Sequence, residues 1–196
     1  MFSSVSQPEL LDAFWQQIRL GDRVAFGQFV ENQYNRLYDY GHRFTRDSDL
    51  VRDCIQDLFL SLWEKRDRLP DVQSSQAYAL TALRNGILKT VTRQPEQFAL
   101  DGVSALLPSE PAPDEQWMED ETTQTNSTRL QRLLAQLTDR QREVLYLKFY
   151  QNLPHETIAD LLSMERQSVA NLLHRALKEL KHHWWKGVGL LWLSQV

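Results

Sequence analysis

Arg166, Gln167, Ser168 and Asn171 stand close together near the C-terminal end of the chain. Each of these side-chain types can address nucleic acid. An Arg guanidinium forks onto guanine, Gln and Asn amides pair with adenine, and a Ser hydroxyl serves bases or phosphates. Arg175, Lys178 and Lys181 follow on roughly one side of the same segment, where cations suit phosphate oxygens. A second set is acidic. Asp53, Gln56, Asp57, Leu60 and Glu64 advance by three or four residues, so on a helix they share one face that is polar with an apolar centre. From spacing alone that face is either solvated or a dock for a basic partner helix. Metal or nucleophile chemistry finds little support. Asp53 and Asp57 could be imagined as ligands with His42, but no paired His stands at ligand spacing, and His182-His183 point in different directions on a helix. With no GxGxxG, GxxxxGK[ST] or HExxH in the chain, neither a catalytic residue, a metal site nor a cofactor is expected.

The elements that carry these residues read as helices throughout. Leu10, Leu11, Phe14, Trp15 and Ile18 recur at three- and four-residue spacing, and Gly21-Asp22 punctuates the end. Phe26, Phe29, Val30, Tyr34, Leu37, Tyr38 and Gly41 mark a second helix. A third starts at Ser48 or Asp49 and carries Val51, Ile55, Leu58, Phe59, Leu62 and Trp63 until Pro70 breaks it. In it Phe59, Leu62 and Trp63 belong to the core. A fourth runs from about Ser75 to Thr92. Together these make an all-α domain. Downstream, Leu130, Leu133, Leu134 and Leu137 predict a short helix, and Thr138 with Gln141 reads as a capping box opening the next. Pro154 suits a first helical turn, Ser163-Met164-Glu165 interrupts, and a final helix carries a stripe through Val169, Leu172, Leu173, Ala176, Leu177, Leu180 and Trp184. A short helix, a tight turn and a longer helix with exposed polar and basic groups is the helix-turn-helix layout. In that layout the N-terminal end of the second helix enters the DNA major groove.

The formal net charge of −4 conceals a gradient. Residues 9–98 hold 12 Lys and Arg against 13 Asp and Glu, 99–128 hold no base and 7 acids, and 129–186 hold 10 bases against 6 acids. The acidic stretch also contains Pro108, Pro111 and Pro113 without an apolar period, and so reads as a flexible linker between two helical domains. The single Cys54 excludes a disulfide framework and a thiolate zinc cluster. No apolar run is long enough to span a bilayer and the N-terminus lacks signal-peptide order, which predicts a cytoplasmic protein without direct membrane insertion. The tail 187–196 is aromatic and apolar, and is expected to pack on its own domain.

The residues Leu137-Thr138-Asp139-Arg140-Gln141-Arg142-Glu143-Val144, Ile158-Ala159, Gln167-Ser168-Val169 with Asn171, and Arg175-Ala176-Leu177 resemble region 4 of extracytoplasmic-function sigma factors. Gly21 to Phe26, Tyr34 to Tyr38 and Asp53 to Trp63 resemble region 2 of the same family, and Gln76 to Asn85 resembles its −10-reading helix. The resemblance implies four units: region 2 at 9–98, an acidic linker at 99–128, a region 4 helix-turn-helix at 129–186, and the tail. It implies a factor that binds core RNA polymerase and promoter DNA. Asp53, Gln56, Asp57, Leu60 and Glu64 then dock on the polymerase, and Arg166, Gln167, Ser168, Asn171, Arg175 and Lys178 read the −35 duplex. Tyr78, Arg84, Asn85 and Lys89 handle the −10 strand, with Asn85 at the base pocket and the loop Pro70 to Ser75 as its other wall. An aromatic or apolar wall, an amide and cations are what an unstacked base requires. Tyr78 could equally be a core residue, and Asn85-Gly86 could merely loosen its helix. Gln167-Ser168-Val169-Ala170-Asn171 looks closest to the FecI-like branch of Bacteroidetes, whose members are often held by a membrane-anchored anti-sigma factor. Ala170 and Leu172 depart from relatives that are basic there, which lowers the expected count of phosphate contacts. The alternative is a helix-turn-helix regulator whose N-terminal bundle senses or dimerises.

Overall fold

The structure is a computed structural model that describes residues 7–93 and 131–193, those from 183 onward as backbone only. The acidic linker expected at 99–128, and the side chains of the tail expected to pack on its own domain, lie outside the described residues. The chain divides into two compact units, Met1–Gly102 and Val103–Val196. Among the described residues every regular element is helical.

The first unit contains α1 (Gln7–Arg19), α2 (Arg23–Gly41), α3 (Ser48–Glu64), a 3-10 turn (Arg66–Arg68) and α4 (Ser75–Arg93). Its helices are closely joined, and α2 and α3 each start on a side-chain cap. Gly21 takes φ +89° between α1 and α2, a conformation that costs a residue with a Cβ. The Asp22 carboxylate then accepts from the amides of Val24 and Ala25 at 2.8 and 3.1 Å. Asp47 does the same for α3, accepting from Asp49 and Leu50 at 2.9 and 3.0 Å; each cap is worth about 1 kcal/mol. The α2 and α4 helices pack on each other, and α1 and α3 each pack on both.

The buried stripe of α2 is Ala25, Phe29, Gln33, Leu37, Tyr40 and Gly41. This corrects the sequence expectation. Phe26, Val30 and Tyr38 are only half-buried and Tyr34 is exposed, because the polar Gln33 occupies the fully buried position between Phe29 and Leu37. Neither amide atom of Gln33 has a hydrogen-bond partner among the described residues. Phe59 and Leu62 of α3 are buried as expected, whereas Trp63 is half-buried, at the edge of the core.

The second unit begins, as described, with helical residues 131–135, then α5 (Asp139–Leu145), a π-turn (Tyr146–Tyr150), α6 (His155–Leu162) and α7 (Arg166–Leu193). The capping box is present: Thr138 Oγ1 accepts from the Gln141 amide at 3.3 Å and Gln141 Oε1 accepts from the Thr138 amide at 2.8 Å. Pro154 stands at the N-cap, one residue before the first turn. Ser163 closes α6 at φ 53°, with Met164 N donating to Ala159 O at 2.8 Å. Both α5 and α6 pack on α7. The apolar stripe of α7 is narrower than its sequence suggests. Val169, Leu173 and Ala176 are buried, Leu172 and Leu180 are half-buried, and Leu177 is 45 % exposed. Adjacent residues on a helix lie about 100° apart, so a doubled apolar position leaves one member at the rim. The helix also runs past Lys186 to Leu193, so most of the segment 187–196 continues α7.

Two glycines in the first bundle make opposite demands. A Cβ on Gly41 would stand 2.6 Å from Val51 Cγ1 and 3.2 Å from Ile87 Cδ1, whereas a Cβ on Gly86 would meet nothing within 4 Å. Gly41→Ala is expected to destabilise the unit by about 1–3 kcal/mol through overpacking. Gly86→Ala is expected to stabilise it by about 1 kcal/mol through helix propensity. Thermal denaturation of the full chain checks both signs.

Candidate functional site

On α3 the acidic set is brought together on one face. Asp53, Gln56, Asp57, Leu60 and Glu64 are all exposed, and Leu60 retains 52 % of its surface. The opposite face of the same helix supplies Val51, Ile55, Leu58 and Leu62 to the core, so the exposed set cannot turn inward. Sequence reasoning missed an apolar groove of about 510 Å³ beside this face. It is lined by Phe26, Val30 and Tyr34 of α2 and by Gln56, Leu60 and Trp63 of α3. The signal was present in the sequence, where these three α2 residues recur every four positions one step out of register with the Phe29–Gln33–Leu37 stripe. Phe26 meets Trp63 with ring centroids 5.0 Å apart, and the Arg66 guanidinium lies 4.6 Å from the Trp63 ring. Cys54 is half-buried on the same helix. Burial pushes its thiol pKa up; a hydrogen bond from Thr90 opposes that, and Asp57 and Asp53 add to it. The raised value keeps the group a neutral thiol near pH 7.

On α4 the expected set divides. Asn85 and Lys89 are exposed one turn apart, and Arg93 is exposed beyond them. Tyr78, two turns before Asn85, is half-buried with its ring 5.0 Å from that of Trp15, so one of its faces belongs to the core. Arg84 is half-buried and lies 5.9 Å from the Phe44 ring, which engages part of its guanidinium. The segment 69–74 that precedes α4 has no regular structure; Leu69 is buried, Val72 is half-buried, and Pro70, Asp71 and Gln73 are exposed. Its last residue starts the helix, Ser74 Oγ accepting from the Ala77 amide at 3.2 Å.

In the second unit, Ile158, Ala159, Leu161 and Leu162 anchor α6, and Val169, Leu173 and Ala176 seat α7. That seating turns Gln167, Asn171, Arg175 and Lys178 outward at increments of four, four and three, one exposed stripe that starts at the helix N-terminus. Gln167 Nε2 donates to Asn171 Oδ1 at 3.2 Å, which pre-orients both amides. Ser168 is half-buried, and Arg166 is exposed and paired with Glu156 of α6, Nε to Oε1 at 2.8 Å. Behind this stripe, Arg142 of α5 is buried and donates to the carbonyls of Leu134 and Ala135 at 3.2 and 3.3 Å and to Asp139. Gln141 Nε2 donates to Glu179 Oε1 of α7 at 3.1 Å. The polar motif from Thr138 to Glu143 is therefore a support for the outward-facing helix and contributes no side chain to its exposed stripe. Among the described residues no group of three or more His, Cys, Asp or Glu could hold a metal ion, and no helix is long and apolar enough to cross a membrane.

Comparison with known proteins finds the family description "Sigma-70 region 2" at residues 29–95 and "Sigma-70, region 4" at 127–180. The ECF RNA polymerase sigma factor SigK of Mycolicibacterium vanbaalenii is 26% identical over 176 residues, 87% of this chain and 87% of that protein. The RNA polymerase sigma-E factor of Streptomyces avermitilis is 26% identical over 163 residues, 82% of this chain and 86% of that protein. Among solved structures, CnrH in complex with the cytosolic domain of CnrY aligns with a TM-score of 0.59 at 18% identity, covering 88% of this chain and 96% of that one. The sigma factor RpoE of Bartonella quintana, in complex with the anti-sigma factor NepR, aligns with a TM-score of 0.59 at 19% identity, covering 81% and 96%. These two share the fold.

The Arg166–Glu156 pair has a measurable consequence. Both side chains are exposed, so the pair itself is weak. Glu156→Gln releases the guanidinium and removes a negative charge beside the exposed stripe. Binding of duplex DNA, titrated at low salt, is expected to tighten about two- to threefold, with the difference shrinking as salt rises.

Proposed function

We propose a division of labour within an extracytoplasmic-function sigma factor, the group of the sigma-70 family to which this chain belongs. As such it binds core RNA polymerase and directs promoter-specific initiation. Residues 9–98 form the polymerase-binding and −10 domain, 99–128 an acidic connection, 129–186 the −35 domain, and 187–196 an apolar tail. Polymerase docks on Asp53, Gln56, Asp57, Leu60 and Glu64. The observation that carries this reading is the exposure of all five on one face of α3, beside an apolar groove that can take the body of a partner helix while the carboxylates meet its cations.

Asn85 and Lys89, with Arg84 and the free face of Tyr78, hold an unstacked base of the −10 strand against the loop Pro70 to Ser75. Arg166, Gln167, Ser168, Asn171, Arg175 and Lys178 read the −35 duplex. The outward stripe on α7 supports this, since amides lie at the helix N-terminus where base edges are reached and cations lie further along where phosphates run. A stand-alone regulator would have no use for both the acidic face of α3 and the Tyr78–Asn85 face of α4.

The protein acts in the cytoplasm and has no catalytic step of its own; the polymerase performs the chemistry. Its activity is held in check by an anti-sigma factor, membrane-anchored in the finer placement we favour. That placement, the FecI-like branch of Bacteroidetes, rests on Gln167 to Asn171 alone, the relatives above being actinobacterial.

Asp53→Arg with Asp57→Arg reverses the charge at exposed sites and leaves the buried face of α3 intact. Capture of purified core polymerase by the native chain, and its weakening by about tenfold or more in the double variant, is the expected result. Failure of the native chain to bind core polymerase without any inhibitor would overturn the assignment.

A further inference from the structure

The first helix, α1, lies ahead of the residues 29–95 that match region 2, and none of its side chains belongs to the DNA or polymerase sets. It nevertheless holds both ends of the loop 70–75. At the start of the loop, the indole Nε1 of the buried Trp15 donates to Pro70 O at 3.1 Å. Gln16 Nε2 donates to Asp71 Oδ1 at 2.8 Å, and Arg19 stands 3.5 Å from the same oxygen. At the end of the loop, Asp12 Oδ1 accepts from the amide of Ser75 at 2.8 Å and from its hydroxyl at 2.7 Å. These contacts differ in weight. Asp71 is exposed, so its pairing is screened and competes with water. Ser75 is fully buried, so an unmet amide and hydroxyl there would be costly, and the Asp12 charge also favours the N-terminus of α4. Trp15 does two things at once: its nitrogen grips the loop and its ring lies 5.0 Å from Tyr78, two turns before Asn85.

The geometry points to α1 as the element that sets the shape of the −10 loop, with Asp12 and Trp15 as positioning residues for capture of the −10 base. The inference rests on the reading of loop 70–75 as a wall of the base pocket. A loop that receives an unstacked base without reordering must be held before the base arrives, because each residue ordered on binding costs conformational entropy. Asp12 and Trp15 hold the two ends and leave Val72 and Gln73 between them to face the base.

The test uses holoenzyme reconstituted from the full chain and core polymerase. The probe is a library of fork-junction DNA with a randomised single-stranded −10 segment, and the readout is the base preference of the retained molecules. Asp12→Ala and Trp15→Phe are compared with Asp12→Asn, which keeps an acceptor for Ser75, and with the loop variants Val72→Ala and Gln73→Ala. Trp15→Phe keeps a ring against Phe29 and Tyr78 and removes the indole donor together with part of the buried ring volume; core binding by the same variant checks that the fold survives, so it remains informative if Asp12→Ala folds poorly. Asp12→Ala and Trp15→Phe are expected to flatten the preference at the captured position about fivefold, as the loop variants do, with Asp12→Asn restoring most of it and core binding unchanged. If the loop variants flatten the preference while Asp12→Ala and Trp15→Phe retain the native profile, the role of α1 is overturned. If the loop variants themselves leave the profile intact, the pocket-wall reading fails and takes this inference with it.

Discussion

The buried indole of Trp15 is the constraint around which the first unit is arranged. Its ring lies 5.9 Å from Phe29 of α2 and 5.0 Å from Tyr78 of α4, while its nitrogen reaches the backbone at Pro70. A large aromatic group is favourable inside only if its N–H finds an acceptor, and Pro70 O is that acceptor. One residue thus ties α1 to two other helices and to an irregular segment that has no ladder of its own. Trp15 helps to place α4, on which α1, α2 and α3 all pack. The loop before α4 is tied to α1, while α3 packs on α2 and α4 and turns its acidic face outward.

The second unit solves a similar problem with polar groups. The α7 helix exposes amides and cations on one side while being held firmly on the other. Val169, Leu173 and Ala176 provide the apolar seat. The buried Gln141 and Arg142 add direction: one reaches Glu179 on α7, and the other collects the carbonyls left free at Leu134 and Ala135. Buried polar groups of this kind fix a unique arrangement only when their partners are present, and removing one partner leaves the other costly.

Much of this was legible in the sequence because helices advertise themselves by period and cap. The four helices of the first unit, the capping box at Thr138 and the exposed acidic face of α3 all follow from spacing. What was hidden has specific physical causes. Gln33 reads as a surface residue but occupies a core position, so Phe26, Val30 and Tyr34 were grouped with the buried Phe29, Leu37 and Gly41, and the groove they form went unseen. Tyr78 and Arg84 carry the chemistry of a nucleic-acid site, yet their surroundings engage part of each. The contacts of Asp12 and Trp15 with Ser75 and Pro70 span 63 and 55 positions, and no local pattern signals a partner at that distance. The motif around Arg142 was conspicuous, but only the fold distinguishes a buried support from a displayed contact.

The position of α1 outside the matched region 2 span bears on how this protein can be cut and recombined. A fragment or chimaera whose boundary is drawn at residue 29 would retain every residue of α3 and α4, and would appear complete by homology. It would lack Leu11, Trp15 and Ile18, all almost fully buried, and so would open the core along α2 and α4. Exchange of region 2 between sigma factors therefore requires α1 to travel with α4 as a single inherited unit. The module is defined by what encloses the hydrophobic interior, and its edge lies upstream of the segment that gives it its name.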